Sequence, residues 1–368
     1  MIFKNRMKKL LVFGTLLMII PVTAHGQNTV GQVMTEGSTE VATEAPETPT
    51  QPETPVAPET PTESEASEIP NAPNSDTVSA VKKAIPTLSG TASYSLQYKS
   101  KKKFTLNVKS SGTATLKYSS NNTSVAKVSS KGVVTLTGVG KCVITVISPA
   151  NSRYASTSKS IRVSSWKRAK SIGYSASYKR SKFYKNLRNL KLLNNKRDNI
   201  ISIANSQVGY REGNSSKVLT GAKKGSHNYT EFGRYYGLNG EPWCAIFVNW
   251  VARETGISYS VVPKRCAVRD YYSFFRSRGL AHPWSQVRTG SYKPKKGDII
   301  FYSYSPGDTT HHIGYVESCS YTVNSLTLNV IEGNAKDAVC HITMTLKRAN
   351  ASGKIRDFYI TGIASPRY

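Results

Sequence analysis

Three stretches near the end of this 368-residue chain carry side chains suited to nucleophilic chemistry. They are Glu241-Pro-Trp-Cys-Ala-Ile-Phe-Val-Asn-Trp250, His311-His312-Ile-Gly-Tyr-Val316 and Ile331-Glu-Gly-Asn334. Pro242 is excluded from a helix interior but suits its first turn, which puts Cys244 at or next to a helix N-terminus. Backbone N–H groups without intrahelical partners and the helix dipole favour a thiolate there. A cysteine nucleophile also needs a base and a group that orients the base. Strand alternation puts His312 on one face with Gly314 and Val316, and His311 on the other with Ile313 and Tyr315. Only one of the two can face the nucleophile. In an antiparallel hairpin the start of the first strand lies beside the end of the second, so either Glu332 or Asn334 can reach His312.

These residues sit within a longer ordered set: Gly209-Tyr-Arg-Glu-Gly213, Phe232-Gly-Arg-Tyr-Tyr-Gly237, Pro242-Trp-Cys-Ala-Ile-Phe-Val248, Lys295-Lys-Gly-Asp-Ile-Ile-Phe301, His312-Ile-Gly-Tyr-Val316 and Ile331-Glu-Gly-Asn334. Together they resemble the cysteine, histidine-dependent amidohydrolase/peptidase (CHAP) family of bacterial wall hydrolases, over about residues 198–368. The resemblance implies Cys244 as nucleophile, His312 as general base, Glu332 as the residue orienting that histidine, and Asn334 as a further polar group of the site. A second group of wall cysteine peptidases has Asp before its nucleophile and Ser-Gly after it; Trp243 and Ala245 argue against that group. Some CHAP members bind calcium through closely spaced Asp residues. No Asp lies between Gly209 and Trp243, so neither a metal nor a cofactor is expected.

The elements that must position these residues read as an α+β domain. Ile200, Ala204 and Val208 share a helical face that stops at Gly209; a second helix starts near Trp243 and ends before Gly256, and a third runs about 267–278. Strands follow at Asp298–Tyr302, His312–Val316, Leu326–Ile331 and Ile342–Leu346. Helices first and an antiparallel sheet after is the papain-like order. Cys266, Cys319 and Cys340 are read as unpaired, because a meander separates Cys319 from Cys340 by the length of a strand.

Charge divides the rest of the chain. Residues 1–26 hold four Lys and Arg and no acid, 27–80 ten acids and no Lys or Arg, 81–197 twenty-five Lys and Arg and no acid. A basic start, the apolar run Leu10–Ile20 and Val22-Thr23-Ala24 predict a signal peptide over 1–24. That run is too short to span a bilayer, so no stable membrane insertion is expected. The Thr/Pro/Glu-rich stretch 25–84 reads as a disordered acidic tether. Short alternating runs at Phe104–Val108, Ala114–Tyr118, Val133–Leu136 and Val143–Val146 predict an all-β sandwich over 85–166, with Cys142 in its core beside Ile144 and Val146. The sequence Tyr118–Val128, Gly132–Gly140 and Val143–Val146 is similar to the group-2 bacterial immunoglobulin-like domain. Residues 167–197 are expected to be a basic linker, with Phe183, Leu187, Leu190 and Leu193 at helical spacing.

The fold class expected is therefore multidomain: an all-β Ig-like sandwich followed by an α+β papain-like domain. The resemblance implies a secreted, wall-associated hydrolase cutting a peptidoglycan amide, as an N-acetylmuramoyl-L-alanine amidase or as a stem or cross-bridge endopeptidase. The alternative is a non-catalytic surface-binding protein with a decayed CHAP domain. The expected partners are peptidoglycan and, through the basic region 81–197, anionic wall polymers; no motif for reading nucleic acid is present.

Overall fold

The computed structural model describes residues 82–308 and 310–368. The expected signal peptide and nearly all of the acidic tether lie outside the described residues. The immunoglobulin-like part comprises β1 (Leu88–Gly90), β2 (Ser93–Gln97), β3 (Lys103–Thr105), β4 (Val108–Ser110), β5 (Lys117–Ser120), β6 (Ala126–Val128), β7 (Val133–Leu136), β8 (Gly140–Ser148) and β9 (Thr157–Trp166). Sheets of order β2-β9-β8-β5 and β3-β7-β6 carry it, with β1 paired to β4. Period-two burial builds the core: Cys142, Ile144 and Val146 of β8 meet Ile161 and Val163 of β9 and Val134 and Leu136 of β7. The predicted strand at Phe104–Val108 is broken into β3 and β4 by the buried Leu106 and by Asn107.

The stretch 167–197 is not a solvated linker. It forms α1 (Ala176–Lys179) and α2 (Lys182–Asn189), and its Ala169, Tyr178, Phe183, Leu187 and Leu192 are buried in the same core as the helix that starts at Cys244. Lys167 and Leu192 exchange two backbone hydrogen bonds of 2.9 Å. Eleven cations hide this in the sequence, but their stems can lie along apolar surface while the charges stay in water. The helix also stops at Asn189, before Leu193.

The helices α3 (Lys196–Asn205), α4 (Glu231–Tyr236), α5 (Cys244–Thr255) and α6 (Val268–Arg276) follow, then β10 (Ala281–Pro283) and α7 (Trp284–Thr289). The strands β11 (Ile299–Ser303), β12 (His312–Tyr321), β13 (Ser325–Ala335), β14 (Ala338–Lys347), β15 (Lys354–Ile355) and β16 (Phe358–Ala364) close the chain. The sheet is antiparallel, in the order β10-β16-β11-β12-β13-β14, with β15 on β16. Every residue of α5 is buried; its Asn249, Arg253 and Thr255 side chains donate to backbone carbonyls. One sheet face, with Ile299, Phe301, Ile313, Tyr315 and Ile331, packs on the helical core; the other, with Ile300, Tyr302, Val316, Val330 and Ile360, packs under Trp284 and Val287 of α7. Among the described residues, no helix is long and apolar enough to cross a membrane.

Candidate active site

Cys244 is the first residue of α5, and it is 6% exposed. Trp243 is the N-cap and provides no side-chain cap, so Pro242 sits one residue outside the helix rather than in its first turn. Trp243 is fixed instead by its indole N–H, which donates to Glu212 Oε2 at 3.0 Å in a buried contact. Glu212 Oε1 accepts the backbone N–H of Asn228 at 3.1 Å. Thus the Gly209–Gly213 motif holds the residue that precedes the cysteine. The first N–H groups of a helix have no intrahelical acceptor, so α5 directs polarised donors at its own Cys244.

Register brings the histidine and the carboxylate together. In β11–β12, Tyr302 stands opposite His312; in β12–β13, Gly314 stands opposite Glu332. Tyr302, His312, Gly314 and Glu332 therefore share one face. His312 Nε2 lies 2.9 Å from Glu332 Oε2, and Tyr302 Oη donates to Glu332 Oε1 at 2.7 Å. Gly314 makes room for this: a Cβ there would come within 2.7 Å of Glu332 Cγ. With Nε2 engaged by the carboxylate, the imidazole also lies near enough to Cys244 for the thiol to raise its pKa.

Electrostatics favour a charged imidazole. Burial alone would lower the His312 pKa, but the Glu332 carboxylate and the hydrogen bonds to Cys244 and Glu332 outweigh it and push it up to about 10. Tyr302 is pushed far above the ordinary phenol range by burial and by the Glu332 charge, so it stays a donor.

Of the residues singled out from the sequence, His312 and Glu332 are hydrogen-bonded, and Cys244 lies close enough to His312 to act on its pKa. Asn334 sits apart in role: it has φ 60°, in the irregular segment between Glu332 and Ala335 where the β13–β14 register shifts. Among the described residues its side chain makes no hydrogen bond to the other three. His311 pairs with Asp308 Oδ2 at 3.1 Å through Nε2. Tyr302 and Glu212 were not anticipated as parts of the site. Glu212 could have been suspected from the Gly-Tyr-Arg-Glu-Gly motif, whereas Tyr302 reads as an ordinary core residue of an apolar strand. The five cysteines are free thiols. Among the described residues, no group of three or more His, Cys, Asp and Glu side chains is placed to hold a metal ion.

The comparisons agree with this architecture. The family model for the CHAP domain matches residues 235–334, which span Cys244, His312, Glu332 and Asn334. The model for the intimin immunoglobulin-like domain matches residues 97–150, within the β-sandwich. The chain thus carries a CHAP domain, characteristic of a peptidoglycan amidase/peptidase family, behind an Ig-like domain of the intimin kind. No curated protein matches the chain.

Proposed function

We propose that this chain is an exported, wall-associated hydrolase that cuts an amide of peptidoglycan by covalent cysteine catalysis. The observation that carries the reading is Cys244 on a helix N-terminus beside His312, which lies 2.9 Å from the Glu332 carboxylate. His312 already holds the proton drawn from the thiol, and the thiolate sulfur attacks the amide carbonyl to give a tetrahedral adduct. The developing oxyanion is served by the Cys244 backbone N–H at the start of α5. The C–N bond then breaks as His312 returns the proton to the leaving amine, leaving a thioester. Water, deprotonated by His312, hydrolyses the thioester and restores the thiol. Glu332 holds the imidazole in register and stabilises its charged form, and Tyr302 holds Glu332. In this reading residues 82–166 hold the enzyme near its substrate, and their cations meet anionic wall polymers.

Digestion of purified walls with mass spectrometry of the fragments tests the reading. New amine and carboxyl ends should appear with the wild type and be absent with Cys244→Ala. Lysis by a folded Cys244→Ala protein would refute the nucleophile assignment.

A further inference from the structure

Three strands end side by side next to His312. The β11–β16 register pairs Tyr302 with Ile360 and Ser303 with Tyr359, so the following step sets Tyr304 beside Phe358. Their ring centroids are 5.3 Å apart at an interplanar angle of 31°. Phe358 lies 6.5 Å from the His312 imidazole, also at a shallow angle of 35°. The Tyr304 ring meets His311 at 4.6 Å. Tyr302 is 4% exposed, but Tyr304, two residues on, is 39% exposed. Burial and then the nearby Cys244 raise the Tyr304 phenol above its ordinary pKa, which places this ring in the electrostatic reach of the nucleophile. The site is therefore lopsided. Glu332 flanks His312 on the β13 side, and the exposed Tyr304 ring with the half-buried Phe358 ring flanks it on the β16 side.

We propose that Tyr304 and Phe358 form a stacking platform for the sugar ring that bears the scissile amide, so that the bond cut joins glycan to stem peptide. This inference rests on the hydrolase reading above. An aromatic face is electron-rich and packs well against a flat array of polarised C–H bonds, which one face of a pyranose offers. A stem peptide of small and charged residues offers no such face, and an extended peptide is recognised chiefly through backbone hydrogen bonds and side-chain pockets. The His311–Asp308 pair, 3.1 Å apart, adds a polar rim beside the platform, of the kind that fixes hydroxyl groups.

The test uses the full chain and two probes: disaccharide–peptide fragments released from walls by a muramidase, and sugar-free cross-linked stem peptides. Wild type should free an intact peptide from the disaccharide and leave sugar-free peptides uncut. Tyr304→Ala and Phe358→Ala should each raise KM for the disaccharide–peptide by about tenfold, the scale of one lost ring contact, with kcat changed less than about twofold. Tyr304→Phe keeps the ring and should reverse most of the KM rise of Tyr304→Ala. Alkylation of Cys244 by iodoacetamide should proceed at the wild-type rate in all variants, showing an intact nucleophile. Should the alanine variants misfold, inhibition of wild type by free disaccharide, but not by stem peptide, supports the platform. Cleavage of sugar-free peptides, or an unchanged KM in both alanine variants, overturns it while the hydrolase reading stands. Cleavage of neither probe overturns both.

Discussion

At the scale of single residues, the site depends on where one proton rests. His312 carries it up to about pH 10 because Glu332 and Cys244 outweigh the cost of burying the charge. The sign follows directly: the imidazolium that must protonate the leaving amine is present below that value and is lost above it. Activity of the wild type should therefore persist through neutral and mildly alkaline pH and fall as pH passes about 10. Glu332→Gln keeps a hydrogen-bonding shape but removes the charge, so the alkaline limb should move down by about one unit or more. A pH–rate profile of the two proteins checks this, and coincident limbs would show that Glu332 does not set the proton. The same scale explains Gly314. A methyl group there collides with Glu332 Cγ and the Ile331 carbonyl, so Gly314→Ala should displace the carboxylate from His312. Turnover should drop by about a hundredfold or more, the scale of a disabled acid–base catalyst, while circular dichroism stays that of the wild type. A normal rate in this variant would mean that Glu332 need not lie over Gly314.

At the scale of elements, α5 joins the cysteine at its N-terminus to a buried carboxylate near its other end. Glu254 is 1% exposed, and burial raises its pKa to about 8 even though Tyr174 Oη donates to its Oε2 at 3.0 Å. The backbone N–H of Lys170 donates to the Glu254 carbonyl at 2.8 Å. Glu254 therefore ties the segment around 170–174 to the helix, through its carboxyl to Tyr174 and its backbone carbonyl to Lys170. A raised folded pKa means the native state holds its proton longer than the unfolded chain, where Glu titrates near about 4.3. Its contribution to stability is full below that value and is lost as pH rises toward and through about 8. Glu254→Gln stays neutral and keeps an acceptor for Tyr174. It should flatten the decline of Tm between about pH 5 and 8, and parallel Tm–pH curves for the two proteins would refute the buried neutral acid. The contrast between this segment and the His312 hairpin shows what a sequence can disclose. His312, Gly314 and Glu332 were legible because strand alternation and hairpin pairing are local rules. Their neighbour Tyr302 was not, since its partner is thirty positions away and its apolar strand looks like any core strand. The tyrosines and leucines of 167–197 were masked by cations, and the placement of β16 between β10 and β11 follows from packing over long separations. Asn334 was legible as a polar residue near the hairpin end, but not as one held in a left-handed bend.

At the scale of the whole molecule, the structure divides the acid-free basic stretch in two. Eleven of its cations belong to the segment that opens the catalytic core. Fourteen lie on residues 82–166, and every one except Lys159 is exposed. That module contains no carboxylate side chain at all, so its cations have no internal ion-pair partner, and their mutual repulsion is a cost that folding does not require. Lys99, Lys101, Lys102 and Lys103 crowd one exposed turn and strand start between β2 and β3. A polyanionic surface is the counterpart such a module fits, and solvated charges attract across a Debye length of about 10 Å at 0.1 M salt but only about 3 Å at 1 M. Full-length Cys244→Ala protein, which should bind without cutting, should sediment with intact walls at low salt and be released at high salt. Walls stripped of their anionic polymers should retain much less of it. Replacing the four lysines of the β2–β3 turn with Gln should shift release to lower salt without lowering thermal stability, because those side chains face water and lose only their mutual repulsion. Equal retention on intact and stripped walls, insensitive to salt and to the four substitutions, would leave the Ig-like module as a spacer and place all wall recognition in the catalytic domain.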